Sequence, residues 1–411
     1  MVMDQYTKLG SVFTISLFRV NITFLIGPEV SGHFYSGLDS EVSHNMMDFS
    51  VAMIGKEVGY ALDATLRNEQ QRFFSDALKP SKLRSHIGPM LHEVESYFAK
   101  WGQQGTVDLK HEFERLLVLI SARCLIGKEV REKADDDFVT LFDELIENGV
   151  NLTSVLFPYA PTLANFRRDR ARVKLVETLT EIVRSRKSSN QVERSSNQDE
   201  KDVLQKRIDC KYRDGRPTTE SEVIGLITAF LLAGKHTSST TSTWTGAHLL
   251  SNRMWLLAAI QEQKEIVRKH GYCVDYNVLQ EMDILYCCIK EALRMHPSLV
   301  VNSRKVLKNF TVRCKEGVEY EIPKGHTIVS PILFNSNLPY IYKKPGMYDP
   351  DRFGPGREED KLGGKFSYQA FGGGRHSCTG EAYAYMQIKV IWSHLLRNFE
   401  LKLESPFPNT N

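Results

Sequence analysis

Phe371-Gly-Gly-Gly-Arg-His-Ser-Cys378-Thr-Gly380 is the stretch on which the reading of this chain turns. Three consecutive glycines let a backbone turn tightly and approach a flat group closely. The apolar periodicity after it predicts a helix over about 379–397. Cys378 then stands at a helix start, where free N–H groups and the positive dipole end favour a thiolate. Those donors also moderate the sulfur's electron donation and so tune an iron bound to it, while His376 can reach a cofactor carboxylate. A buried, inert cysteine beside a glycine turn is the competing reading, and the loop alone does not separate the two. The spacing Phe371-x-x-Gly374-x-x-x-Cys378-x-Gly380 does. With 21 Phe, 27 Gly and 7 Cys in 411 residues, chance produces it in roughly one or two chains per thousand.

Upstream, Thr219 and Glu222 have capping-box spacing and predict the start of a helix that runs, without proline, to about residue 250. Its first half, VIGLITAFLLAG (223–234), is apolar almost all round, as in a helix buried through the middle of a domain. Ala233-Gly234-Lys235-His236-Thr237 interrupts that pattern, and such local conflicts favour functional sites. Gly234 removes a side chain where a diatomic ligand fits. Thr237 can bond back to the Ala233 carbonyl and loosen the helix. Its hydroxyl and the His236 imidazole can then relay protons. A satisfied core threonine, with the histidine pointing elsewhere, is equally compatible with this stretch alone.

Glu291 and Arg294 lie three apart on a helix predicted over 276–295, which stops at His296-Pro297. Pro350-Asp-Arg352-Phe353 can add a second guanidinium to the same carboxylate. Such a pair is usually a solvated surface contact, and its place ahead of the cysteine loop is what gives it weight. Residues 11–27 alternate around Arg19-Val20-Asn21 like a β-hairpin, 65–101 and 107–126 read as helices, and 308–333 as strands. Residues 334–377 are irregular and rich in Gly and Pro. The polar stretch 185–202, with SSNQ twice, predicts a flexible surface linker within one domain. The expected fold class is mainly α, a large helical domain with a smaller β-rich subdomain.

A net charge of +3, evenly spread, gives no reason to expect nucleic acid as a partner. No run of 18 apolar residues predicts a membrane span, and the opening MVMDQYTKLG lacks the layout of a signal peptide. Seven scattered cysteines without a Cys-x-x-Cys pair predict reduced thiols rather than a disulfide framework or structural zinc.

The cysteine loop, the charge pair and the interrupted helix, in this order, resemble the cytochrome P-450 family over nearly the whole chain. The resemblance implies one domain over 1–411 folded around a buried haem b, with Cys378 as the axial sulfur ligand. It implies that Glu291, Arg294 and Arg352 form the family's structural charge triad. It also places Phe371, Gly374, His376, Gly380, Arg304, Arg67 and Ala233 beside the haem. His236 before Thr237, DGRPTTESEV before the long helix and HTSSTTSTWTGAHLL within it are similar to the sterol 14α-demethylase branch. GREEDKLGGKFSY, FGGGRH and LLRNFEL resemble its plant form, which acts on obtusifoliol.

The resemblance further implies oxidation of a sterol methyl group with O2 and electrons from an NADPH-cytochrome P-450 reductase. A monomer at the cytosolic face of the endoplasmic reticulum membrane is expected, with Phe49, Tyr60, Ala229, Leu232, Val301, Asn302 and Ser303 as substrate contacts. The plant members' membrane anchor, proline-rich hinge and C-terminal strand pair have no counterpart between Met1 and Asn411. Met47 and Ala52 replace a tyrosine and a proline of the branch, Lys235 a glutamine, and Ser298 a second proline. The segment from Pro297 to Arg304 is expected to pass the haem edge with alternate side chains facing the pocket. Asn302 and Ser303 there predict poor obtusifoliol binding and a preference for an oxygenated sterol or pentacyclic triterpene. A triterpene hydroxylase or epoxidase of the same branch, and a non-catalytic haem-binding remnant, remain the alternatives.

Overall fold

The computed structural model describes residues 2–17, 19–44, 48–189 and 203–408. The expected hairpin is present: β1 (Val12–Leu17) and β2 (Val20–Leu25) pair antiparallel from Val12↔Leu25 to Leu17↔Val20. Its turn comes earlier than the alternation suggested, at Arg19 with φ +68°, so Val20 and Asn21 already belong to the strand. Two-residue hairpin loops match the twist of their strands by taking positive φ, and this outweighs the polar pattern. A short helix α1 (Gly32–Ser36) and an edge strand β3 (Val42–His44) come next.

The helical run expected over 65–101 is two helices, α2 (Ala64–Ala77) and α3 (Pro80–Phe98). Pro80 has no N–H to give the preceding turn and holds Lys79 extended at ψ 147°, which splits the run. α4 (Leu109–Ser121) continues as a π-helical turn to Ile126 and ends at Gly127 as expected. α5 (Asp136–Gly149) packs along α6 (Leu163–Ser189). Residues 185–189 of the expected linker are therefore helical, held by Arg184 on Glu220 and Arg186 on Glu129. Ion pairs there supply what apolar surface does not. Residues 190–202 lie outside the described residues.

α7 (Glu220–Ser251) begins with a complete capping box: Glu222 N donates to Thr219 Oγ1 at 3.2 Å, and Thr219 N to Glu222 Oε2 at 2.7 Å. The helix expected over 276–295 is interrupted, giving α8 (Tyr276–Gln280) and α9 (Asp283–Met295). The buried Glu262 carboxylate accepts from Ile284 N at 2.6 Å and Leu285 N at 3.1 Å, capping α9 afresh. Strands β4 (Asn302–Val306), β5 (Phe310–Arg313), β6 (Glu319–Ile322) and β7 (Thr327–Ser330) lie beyond it in the chain. The sheet order is β1-β2-β7-β4-β3, with β2 and β7 parallel, and β5-β6 form a separate hairpin. α10 (Glu381–Asn398) is the last helix.

One large apolar cluster joins α3, α4, α5, α7, α9 and α10, and a smaller one lies under the sheet around Phe34, Tyr35 and Val306. α7 runs through the first. A Cβ at Gly246 would come within 2.6 Å of the buried Trp392 ring, so α10 can lie this close to α7 only at a glycine. The mainly helical architecture with a small β-rich part is as expected. Among the described residues no helix is long and apolar enough to cross a membrane.

The irregular chain between β7 and α10 is fixed by charge. Glu291 on α9 accepts from Arg294 at 2.7 and 2.9 Å and from Arg352 at 2.8 Å, and all three side chains are fully buried. The remaining guanidinium donors reach the carbonyls of Ser336, Pro345, Lys343 and Met347. Glu359, which no local spacing singled out, adds a second carboxylate on Arg352. Breaking such a pair leaves a buried charge stranded, at a cost of about 3–5 kcal/mol. Glu291→Ala should therefore lower the urea midpoint markedly and yield little haem-loaded protein. An unchanged midpoint with full haem content would show the pair to be dispensable.

Candidate active site

The cysteine loop closes through Cys378 N donating to Phe371 O at 2.8 Å, and turns at Gly372 (φ +71°) and Gly374 (φ +59°). A Cβ on Gly374 would lie 2.4 Å from the Tyr35 carbonyl oxygen, and one on Gly373 2.9 Å from the Phe366 ring. These two glycines thus seat the loop on α1 and on Phe366, a use beyond the expected approach to a flat cofactor. The Cys378 thiol opens into a cavity. Burial raises its pKa, and the Glu381 carboxylate adds to the rise, while the N–H groups of Gly380 and Glu381 pull it down. The helix start alone therefore does not favour the thiolate as expected, because desolvation outweighs the donors. A cation on the sulfur restores it, since a coordinating thiol is deprotonated outright.

A cavity of about 220 Å³ lies between Cys378 and the middle of α7, where Thr237, Ser238 and Thr241 line it. At its edge, Arg304 Nε and His376 Nε2 are buried without a hydrogen-bond partner. Arg304 lies 5.2 Å over the Phe34 ring, and its Nη1 is 3.4 Å from His44 Nδ1. The pKa of His44 is lowered to about 3 by burial and then by the charges of Arg304, Arg67 and His376. A desolvated cationic edge with orphaned donors calls for an anionic partner. These residues fit a haem: carboxylates on Arg304 and His376, iron on Cys378. Arg67 does not line the cavity. It pairs with Asp39 at 3.2 Å, and its charge still reaches the cavity-lining His44.

On α7, Thr237 Oγ1 donates to Ala233 O at 2.7 Å, the back-bond that the spacing predicted. Gly234 turns away from the cavity: a Cβ there would meet Ser121 Oγ at 3.0 Å, so its small size serves the contact with α4. His236 keeps an accessible ring, yet the surrounding protein lowers its pKa, partly offset by Glu114, which leaves it neutral near pH 7. Lys235 is buried in an ion pair with Asp143 of α5, and burial pushes its pKa down to about 8. Neither Ala233 nor His236 is among the cavity-lining residues.

Of the expected substrate contacts, Tyr60, Asn302 and Ser303 line the cavity. Phe49 and Leu232 pack on the main core, Ala229 is half-buried within α7, and Val301 is exposed. Strand alternation begins only at Asn302, so Ser298 and Leu299 from the irregular stretch take the place expected of Val301. Asn302 lies beside the Tyr35 hydroxyl, which meets Ser330 and Gln369. Met47 lies outside the described residues. Helical spacing from Thr237 could have pointed to Thr241, and the segment after Pro297 to Ser298; His44 had no local signal.

A thiolate opposite carbon monoxide gives a red-shifted ferrous–CO absorption. Cys378→Ala should abolish that band and Cys287→Ala should leave it. The reverse outcome would move the ligand to another sulfur.

The cytochrome P450 family model matches residues 1–410. The obtusifoliol 14-alpha demethylase of Sorghum bicolor is 53% identical over 412 residues, covering 100% of this chain and 82% of that protein. The sterol 14-demethylase of Arabidopsis thaliana is 52% identical over 409 residues, covering 99% and 82%. The human lanosterol 14-alpha demethylase is 31% identical over 413 residues, covering 99% and 78%. The solved structure of retinoic acid-bound cyanobacterial CYP120A1 superposes with a TM-score of 0.86 at 20% identity, covering 100% of this chain and 89% of that one. This chain belongs to the cytochrome P450 family, whose members are haem-thiolate monooxygenases.

Proposed function

We propose that this monooxygenase acts on a sterol or a related triterpene, as a divergent member of the sterol 14-demethylase branch. The observation that carries this reading is the 52–53% identity, over essentially the whole chain, to plant enzymes named for sterol 14-demethylation. The cavity wall agrees, since Leu293, Leu299, Ile332 and Ile388 offer a hydrocarbon skeleton an apolar surface. When bound, the haem supplies the reductive activation of O2, with electrons from NADPH through a cytochrome P450 reductase. Cys378 holds the iron, and Arg304 and His376 hold the carboxylates. Thr237 is the proton donor closest to the chemistry: its hydroxyl, parked on Ala233 O, must swing into the cavity to donate. Neutral His236 can accept and pass on the replacement proton.

The protein works as a monomer at the cytosolic face of the endoplasmic reticulum membrane. Leu152, Phe157, Tyr159, Leu163 and Phe166 are all more than 60% exposed within one short segment, an apolar surface suited to a lipid interface.

A second reading concerns which ligand is preferred. Asn302 and Ser303 both line the cavity, so discrimination against an apolar skeleton rests on the two together. An unpaired polar group against hydrocarbon costs about 1–3 kcal/mol, so Ser303→Leu should tighten obtusifoliol binding about tenfold in a spectral titration. The Asn302→Leu, Ser303→Leu double substitution should tighten it further. No change with Ser303→Leu would remove the argument for an oxygenated sterol or triterpene. Expression with reductase and a panel of sterols and triterpenes, read by mass spectrometry, tests the function itself. A demethylated or hydroxylated product is expected; an intact ferrous–CO band with no product from any of them would mark a non-catalytic remnant.

A further inference from the structure

Ser298 has no regular secondary structure around it, yet its hydroxyl ties the connection from α9 to β4 to the middle of α7. Pro297 ends α9 and turns the chain so that Ser298 Oγ donates to the main-chain oxygen of Thr237 at 3.1 Å. Thr241 Oγ1 donates to the same oxygen at 2.7 Å and lies 3.4 Å from Ser298 Oγ. A carbonyl has two lone pairs. Two hydroxyl donors on one helical carbonyl compete with the N–H of residue 241, four positions on, and favour tilting of that peptide within a helix that runs unbroken from Glu220 to Ser251. One turn earlier, Thr237 Oγ1 does the same to Ala233 O. The turn of α7 that carries Thr237 is thus loosened from both ends, and its lower end is held by a residue outside the helix.

We propose that Ser298 is a positioning residue for Thr237: its hydroxyl holds the Thr237 peptide in the tilted state from which the threonine side chain can leave Ala233 and donate into the cavity. The inference rests on the proton-donor reading of Thr237 given above. It makes the α9–β4 connection, which also borders the substrate through Leu299 and Ser303, part of the control of proton delivery. A ligand that displaces this connection then alters the Thr237 turn without touching Thr237.

Hydrogen exchange on the haem-loaded full chain tests the geometry directly. In Ser298→Ala the carbonyl returns to the helix, so the amide of Thr241 should exchange more slowly, by about two- to tenfold, the factor one hydrogen bond is worth. A residue that merely packs would give the opposite sign, because lost packing speeds exchange. Ser298→Thr should restore the wild-type rate. Turnover supplies the second arm, with obtusifoliol as probe and peroxide per NADPH as readout. Ser298→Ala should raise peroxide several-fold, Thr237→Ala should raise it further, and adding Ser298→Ala to Thr237→Ala should change nothing more. Faster or unchanged exchange at Thr241, or additive effects of the two substitutions, overturns the proposal. If Thr237→Ala leaves coupling intact, the proton-donor reading fails, and the sign of the exchange effect still decides whether Ser298 holds the turn.

Discussion

A single buried carboxylate, Glu291, organises the part of the molecule that matters most. The chain from the end of β7 to Cys378 has no ladder of its own, and its carbonyls would be costly to bury unpaired. Arg294 and Arg352, both locked on Glu291, satisfy four of them. The helix before it adds neighbouring ties: Lys290 on Asp360 at 2.7 Å, Tyr368 OH on Lys290 O at 3.1 Å and Tyr348 OH on Cys288 O at 3.0 Å. Buried ion pairs are weak evidence for stability, since desolvation offsets much of their attraction. Here the pair serves as an address: it sets where an otherwise irregular segment lies, and so where the sulfur sits relative to α7.

The cavity between them is electrostatically incomplete as protein alone. Its edge holds a desolvated Arg304 with an orphaned donor and an unpartnered His376 nitrogen, and its floor holds a thiol whose pKa the surrounding protein raises. A group carrying both carboxylates and a metal cation answers the two imbalances together. On the opposite wall α7 tolerates a run of hydroxyls because Thr237, Thr241 and Thr245 bond back to carbonyls four residues earlier. These three threonines are paired in this way, at the cost of a locally weaker helix.

Much of this was legible in the sequence. The capping box at Thr219 and Glu222, the stop at His296-Pro297 and the Glu291–Arg294 pair are local and depend on short spacings. The features that were not legible depend on contacts distant in the chain. Nothing near Asn302 announces Tyr35, and nothing near Gly234 announces Ser121. Glu262 splits a helix some twenty residues away by capping its second half, which a periodicity argument cannot see. The thiol shows a related limit of local reading: a helix start is a local feature, whereas desolvation is set by the whole surrounding fold.

The central claim is that Cys378, Thr237, Arg304 and His376 enclose one haem. The most direct measurement is anomalous diffraction at the iron edge from crystals of the haem-loaded protein. The account predicts a single iron bonded to Cys378 Sγ, on the side facing Thr237, with the haem carboxylates on Arg304 and His376. Iron on a different side chain, or carboxylates directed away from Arg304 and His376, would contradict it.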